Sequence, residues 1–161
     1  MVEEILYRIK EMQLMYRFVM VFVIGFIPFL EAHVAVPLGI LLELPFVLTA
    51  FLGIGGNIIS VLLVVLFVTL IKDKLNHHDR YPSINRRFAK ARHYFDKYGV
   101  PGLALLGPIV GANHISALVS VAASARKENI VLWQVISITV WGIGSGLLLF
   151  YGIDVYQWLK N

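Results

Sequence analysis

The chain has no cysteine, which removes disulfides and thiolate metal sites and leaves the redox compartment unread. Charge is scarce too: 15% of the 161 residues are Asp, Glu, Lys or Arg, against roughly 25% in a soluble globular domain. There are six prolines, so the place of each carries information. What fills the chain instead is apolar: 58% of residues are hydrophobic and the mean hydropathy is +0.77. A soluble fold of this length cannot bury so much apolar surface. A bilayer hides it from outside, and a spanning helix needs ~20 apolar residues. The pI of 9.4 does not argue for nucleic acid, because most of the positive charge sits in one segment between apolar blocks. No Ser/His/Asp set or carboxylate pair stands out, so no enzyme and no cofactor are expected.

Five apolar blocks follow one another. Residues 15–29 carry one charge, Arg17, near their start. Residues 31–44 are too short to span alone at ~1.5 Å rise per residue. Residues 46–71 hold no charge and are long enough to cross with tilt. Residues 99–125 are uncharged but interrupted by Pro101, Gly107, Pro108 and Gly111, and residues 130–153 form a second clean spanning stretch. Ahead of them, residues 1–17 alternate charge with Ile5, Leu6, Ile9, Met12 and Leu14, the pattern of an amphipathic helix that either lies at the interface or simply leads into the first membrane segment. Between the halves, residues 72–97 hold eight Lys or Arg side chains against Asp73, Asp79 and Asp96. From Ser83 to Tyr98 they read as a basic amphipathic helix. The positive-inside rule makes this linker cytoplasmic, and a clustered basic face also suits anionic headgroups.

The polar groups inside the apolar blocks fall at matching places. Pro28 precedes Glu31 and His33; Pro108 precedes Asn113, His114 and Ser116; a shift of 80 lays Pro28 on Pro108 and His33 on Asn113. Ionisable and helix-breaking residues in corresponding halves of a membrane chain point to a midplane site. With Arg126 and Lys127 also inside, residues 98–125 leave the cytoplasm and return to it. Residues 18–44 do the same from the other face, and both termini lie outside.

The expected fold is therefore all-α and integral to the membrane. It is an inverted repeat of re-entrant hairpin plus transmembrane helix (residues 18–71 and 98–153), with breaks at Pro28, Pro37, Pro108 and Gly111. The competing reading is four or five plain spanning helices kinked by proline.

The residues also resemble a known family. Glu31, His33, Ala35, Val36, Pro37 and Gly39 fit the frame of an acid, a base two positions on, then small–Ile/Val–Pro–x–Gly. Gly53, Gly55, Gly56 and Asn57 look like its glycine–asparagine patch. Lys97 to Ala104, then Pro108 and an Ala/Ser-rich run ending at Arg126-Lys127, look like its second half. The chain resembles the small multi-drug export proteins over roughly residues 20–150, and through them the DedA-like (VTT-domain) membrane proteins. The resemblance implies transport on an inverted-repeat fold, in a prokaryotic cytoplasmic membrane. Two positions depart from it: His33 stands where the family commonly has Arg, and Asn113-His114 where DedA-like proteins usually offer Arg. Arginine is the usual planar partner for phosphate. Histidine instead suits a proton-linked step.

Glu31 is the leading candidate for a proton carrier, since a carboxyl in the membrane changes charge according to its neighbours. Its bland alternative is capping the helix that follows. Residues two apart do not face each other on a regular helix, so His33 meets Glu31 only at a broken tip. Asn113, His114 and Ser116 either line a cavity or satisfy backbone groups freed at Pro108 and Gly111. Asn57 and Ser60 follow three glycines and read as packing residues, with Asn57 also a candidate for function. The G-x-x-x-G from Gly142 to Gly146 suits packing within the chain or in a homodimer. No metal site is expected, the His and Glu spacings fitting none. The expected partners are membrane lipids, protons and a small solute or lipid substrate. A proton-coupled secondary transporter leads. An undecaprenyl-phosphate-like lipid translocase and a non-transporting membrane scaffold are the alternatives.

Overall fold

The computed structural model describes residues 2–11, 13–75, 82–110 and 112–160, without the side chains of 2, 3, 6, 10, 11, 72–75, 82–92, 110 and 153–160. The described residues form seven helices: α1 (Val2–Glu11), α2 (Leu14–Phe26), α3 (Glu31–Leu41), α4 (Phe46–Leu75), α5 (Pro82–Val110), α6 (Asn113–Ala122) and α7 (Lys127–Lys160). Two of them are long and apolar enough to cross a membrane, over Phe46–Ile71 and Lys127–Gly152. Their outward faces are apolar: Val47, Phe51, Phe67 and Leu148 are exposed, as lipid-facing side chains are. The chain divides into two compact units, residues 1–57 with 138–161, and residues 58–137.

In the first unit, α2 stops where the sequence says it must. Pro28 disfavours helical backbone at the residue before it, and Ile27 is extended (φ −71°, ψ 125°). The amide of Ile27 still reaches the Val23 carbonyl at 3.0 Å, and the chain turns through Phe29 and Glu31, both with positive φ. Then α3 begins. Leu14 to Arg17, given to the leading amphipathic helix by the sequence, are the first turn of α2, because the helix running from Val2 ends at Glu11. Pro37 lies inside α3 and does not end it.

The C-terminus of α3 is closed by Glu43 at φ 59°, with the Leu44 amide on the Gly39 carbonyl at 3.0 Å. Nη1 of Arg17 adds a bond to the Leu42 carbonyl at 3.2 Å, a cation on the negative end of the helix. Helices α2 and α3 pack closely, with Val21, Ala35, Leu42 and Leu44 at their core.

Glycine lets α4 approach this pair. A Cβ on Gly25 would overlap the carbonyl oxygen of Gly53, and one on Gly56 would overlap the Phe22 carbonyl. Neither neighbour is the movable end of a side chain. Gly25→Val is therefore expected to lower stability by ~1–3 kcal/mol or more. A fall in the melting temperature of the detergent-purified protein checks this, and an unchanged value would show that α2 and α4 separate freely.

In the second unit, α5 is interrupted at Gly99 (φ 62°, ψ −179°), a conformation glycine tolerates, and restarts with Pro101 in the first turn of the new stretch. It then packs on α6. Pro108 sits in the last turns of α5, two residues before the helix ends; Gly111, the other expected break, lies outside the described residues. The end of α6 repeats that of α3: Ser124 takes φ 63° and the Ala125 amide reaches the Ser120 carbonyl at 3.1 Å. The matching caps, Glu43 and Ser124, are 81 residues apart, one more than the shift read from the prolines.

Candidate functional site

The first polar cluster is built on the start of α3. Glu31 is 0% exposed and stands in the first turn of the helix it opens. A carboxylate in the first turn does complement the helix dipole. Its φ of 55° is unusual for a residue with a Cβ and turns the side chain away from its regular helical direction. That is what allows the pairing expected only at a broken tip: Oε2 of Glu31 lies 3.7 Å from Nδ1 of the partly buried His33. The distance is that of a charge contact and is too long for a hydrogen bond. Pro37 adds to the polarity here, since it lacks the amide that would pair with the His33 carbonyl.

Asn57 belongs to the same unit. Contacts at glycines set the register of α3 against α4: Gly39 meets Thr49, and Gly53 meets Ala35 and Val36. One further turn in each helix brings Asn57 level with Glu31 and Ala32. Asn57 is 1% exposed, and among the described residues neither Oδ1 nor Nδ2 has a hydrogen-bond partner. Leaving such groups unpaired costs ~1–3 kcal/mol.

The second cluster lies wholly in the second unit. Asn113, His114 and Ser116 are buried on the first turn of α6, as is Ser60 on α4. Nε2 of His114 and Oγ of Ser60 are 2.9 Å apart, and the tautomer of the ring decides which donates. Ser116 donates to the Asn113 carbonyl at 2.8 Å and accepts from Nε2 of Gln134 at 2.7 Å. Ser120 donates to the Ser116 carbonyl at 2.8 Å. Ser137 Oγ lies 2.8 Å from the Ala104 carbonyl and 3.2 Å from Asn113 Oδ1. The Ala104 carbonyl is the one Pro108 strips of its helical partner, four residues on. Ser137 thus performs at Pro108 the repair that was one of the two roles open to Asn113, His114 and Ser116 in the sequence.

Gln134, Ser137 and Ser120 escaped the sequence reading. A signal existed for the first: glutamine is the most polar side chain between Ile130 and Gly152, and polar residues in a spanning helix are seldom idle. The two serines carry no such mark. Ser137→Ala is expected to cost ~0.6–1.7 kcal/mol, the range for interhelical hydrogen bonds in membranes, through the orphaned Ala104 carbonyl. Thermal unfolding in detergent tests it; no loss would mean that α5 relaxes around Pro108 unaided.

The clusters differ in chemistry. The first pairs an acid with an imidazole. The second is a hydrogen-bonded set of amides, hydroxyls and one imidazole. Neither includes arginine or lysine. Among the described residues no group of three or more His, Asp or Glu is placed to hold a metal ion.

A family model described as "Putative small multi-drug export protein" matches residues 31–143. The chain belongs to that family. The matched stretch opens on Glu31 and takes in both clusters, the whole span Phe46–Ile71 and the first part of the span that starts at Lys127. Membership of the small multi-drug export family, together with these helices, makes the chain a membrane protein of an export family, which is not an enzyme class. No curated protein and no solved structure matches the chain.

Proposed function

We propose that the protein is a proton-coupled secondary transporter of DedA-like type, with Glu31 as the group that takes up and releases the proton. The observation that carries this reading is a fully buried carboxyl, 3.7 Å from an imidazole, in the opening turn of a short apolar helix. Proton-coupled carriers need a carboxyl whose charge is decided by its immediate neighbours, and His33 is such a neighbour. Asn57, level with Glu31, offers a donor and an acceptor to a polar group of the cargo or to the proton's path. The cargo class is a small amphipathic solute, in keeping with the family's description.

The membrane arrangement belongs to the same proposal. Helix α2 has 13 residues and α3 has 11, roughly 20 and 17 Å long, against ~30 Å of hydrocarbon. The stretch of α5 after Gly99 and the 10-residue α6 are similarly short, and such pairs enter and return on one face, the first from outside and the second from the cytoplasm. The linker 72–97 is then cytoplasmic and both termini lie outside. The matching caps at Glu43 and Ser124 suit an inverted repeat.

The test is transport into proteoliposomes. Uptake of a fluorescent amphipathic cation, driven by an acidic interior and abolished by a protonophore, is the expected result. Uptake that ignores the pH gradient would sink the proton-coupled reading.

A further inference from the structure

Besides the two buried clusters, the second unit has a cavity of about 310 Å³ along the α5–α6 pair, in the size range of small-ligand sites. It runs from Tyr94 and Tyr98, before the Gly99 interruption, past Leu103 and Leu106 of the restarted helix, to Ile115 and Val119 on α6. Its lining is almost wholly apolar, with Ser116 at its wall. That hydroxyl is already engaged by the Asn113 carbonyl and Gln134, so it offers little to a polar guest.

Polarity changes at one end only. Both tyrosines are partly exposed, as interfacial aromatics are, and the ammonium of Lys97 stands 5.1 Å from the centre of the Tyr98 ring. The sequence around that end is strongly basic: Arg86, Arg87, Lys90, Arg92 and Lys97 against the single acid Asp96. An apolar slot that opens beside a cation and two interfacial phenols matches one kind of molecule. We infer that the groove holds one acyl chain of an anionic phospholipid, with its phosphate against Lys97 and the tyrosine rim. The lipid is held as a bound component and is not the transported cargo. The Lys97 stem lies along apolar surface while its head meets the phosphate, and each basic residue near a membrane surface adds ~1 kcal/mol toward anionic lipid.

Native mass spectrometry of the detergent-purified protein, titrated with phosphatidylglycerol or phosphatidylcholine of equal chain length, tests this. Two variants complete the experiment. Ile115→Trp fills the groove from an exposed position, where the larger ring is tolerated, and Lys97→Gln removes the cation. The expected result is retention of one phosphatidylglycerol at several-fold lower concentration than phosphatidylcholine. Ile115→Trp abolishes retention of both lipids, and Lys97→Gln abolishes only the preference. Equal retention of the two lipids by the wild type would overturn the inference. So would phosphatidylglycerol retention by Ile115→Trp that equals the wild type's. Lys97 is an exposed side chain of α5 and glutamine is tolerated there, so the Lys97→Gln result stands even if the tryptophan variant fails to fold.

Discussion

Replacing Glu31 by glutamine is expected to reduce pH-gradient-driven transport to the level of protein-free liposomes while the protein remains folded. Glutamine keeps the volume of the side chain and one acceptor oxygen, replaces the other oxygen with a donor NH2, and loses the titratable proton. The residue is buried and its backbone is held at φ 55° by the Pro28 turn, so a near-isosteric change leaves the packing of α2 against α3 as it was. The two readouts separate the chemistry from the fold: initial uptake rate on one side, elution profile and melting temperature on the other. Downhill movement of solute without a pH gradient is expected to survive in part, because the amide still occupies the site. A glutamine variant that still concentrates solute against its gradient would remove Glu31 from the mechanism.

Asn57→Leu is expected to move stability and transport in opposite directions. The two side chains are similar in volume, and the substitution takes two unpaired polar atoms out of a buried position. Replacing such atoms with apolar ones of similar shape is neutral or stabilising, here by up to ~1–3 kcal/mol. Structural asparagines in membranes behave otherwise: they bond across helices, and their loss costs stability. Transport is expected to fall strongly, because the polar group that α4 places level with Glu31 has gone. A variant that melts earlier and transports normally would return Asn57 to the packing role that its glycine neighbours first suggested.

The parts of this fold that composition controls were legible in the sequence. The uncharged block 46–71 coincides with the described span Phe46–Ile71, and the block 130–153 differs from Lys127–Gly152 by a turn at one end. The stop at Ile27 was legible too, because a proline dictates the backbone of the residue before it. Proline inside a helix was less readable. Pro37 and Pro108 look like breaks in sequence, yet both sit within helices. Pro108 is accommodated by a serine 29 positions away that accepts the duty of pairing the Ala104 carbonyl. Nothing local to Pro108 encodes that partner. The same holds for Gln134 and Ser116, which meet across 18 residues.

The pairing of Glu31 with His33 was anticipated as a property of a broken tip, and the positive φ at Glu31 is its cause. Asn57 was legible as a polar residue among glycines. That it stands level with Glu31 needed the helix register.

The central claim is that Glu31 lies inside the membrane on a turn that does not cross it. Single-cysteine labelling with a membrane-impermeant maleimide tests this most directly, and a chain with no native cysteine needs no background removed. Phe29, exposed at the turn, and Arg126, exposed beyond α6, are the reporting positions. The account predicts that Arg126→Cys reacts readily from the cytoplasmic face, while Phe29→Cys stays protected from that face. Phe29→Cys reacting there as fast as Arg126→Cys would mean that α2 and α3 cross the bilayer, and would contradict the account.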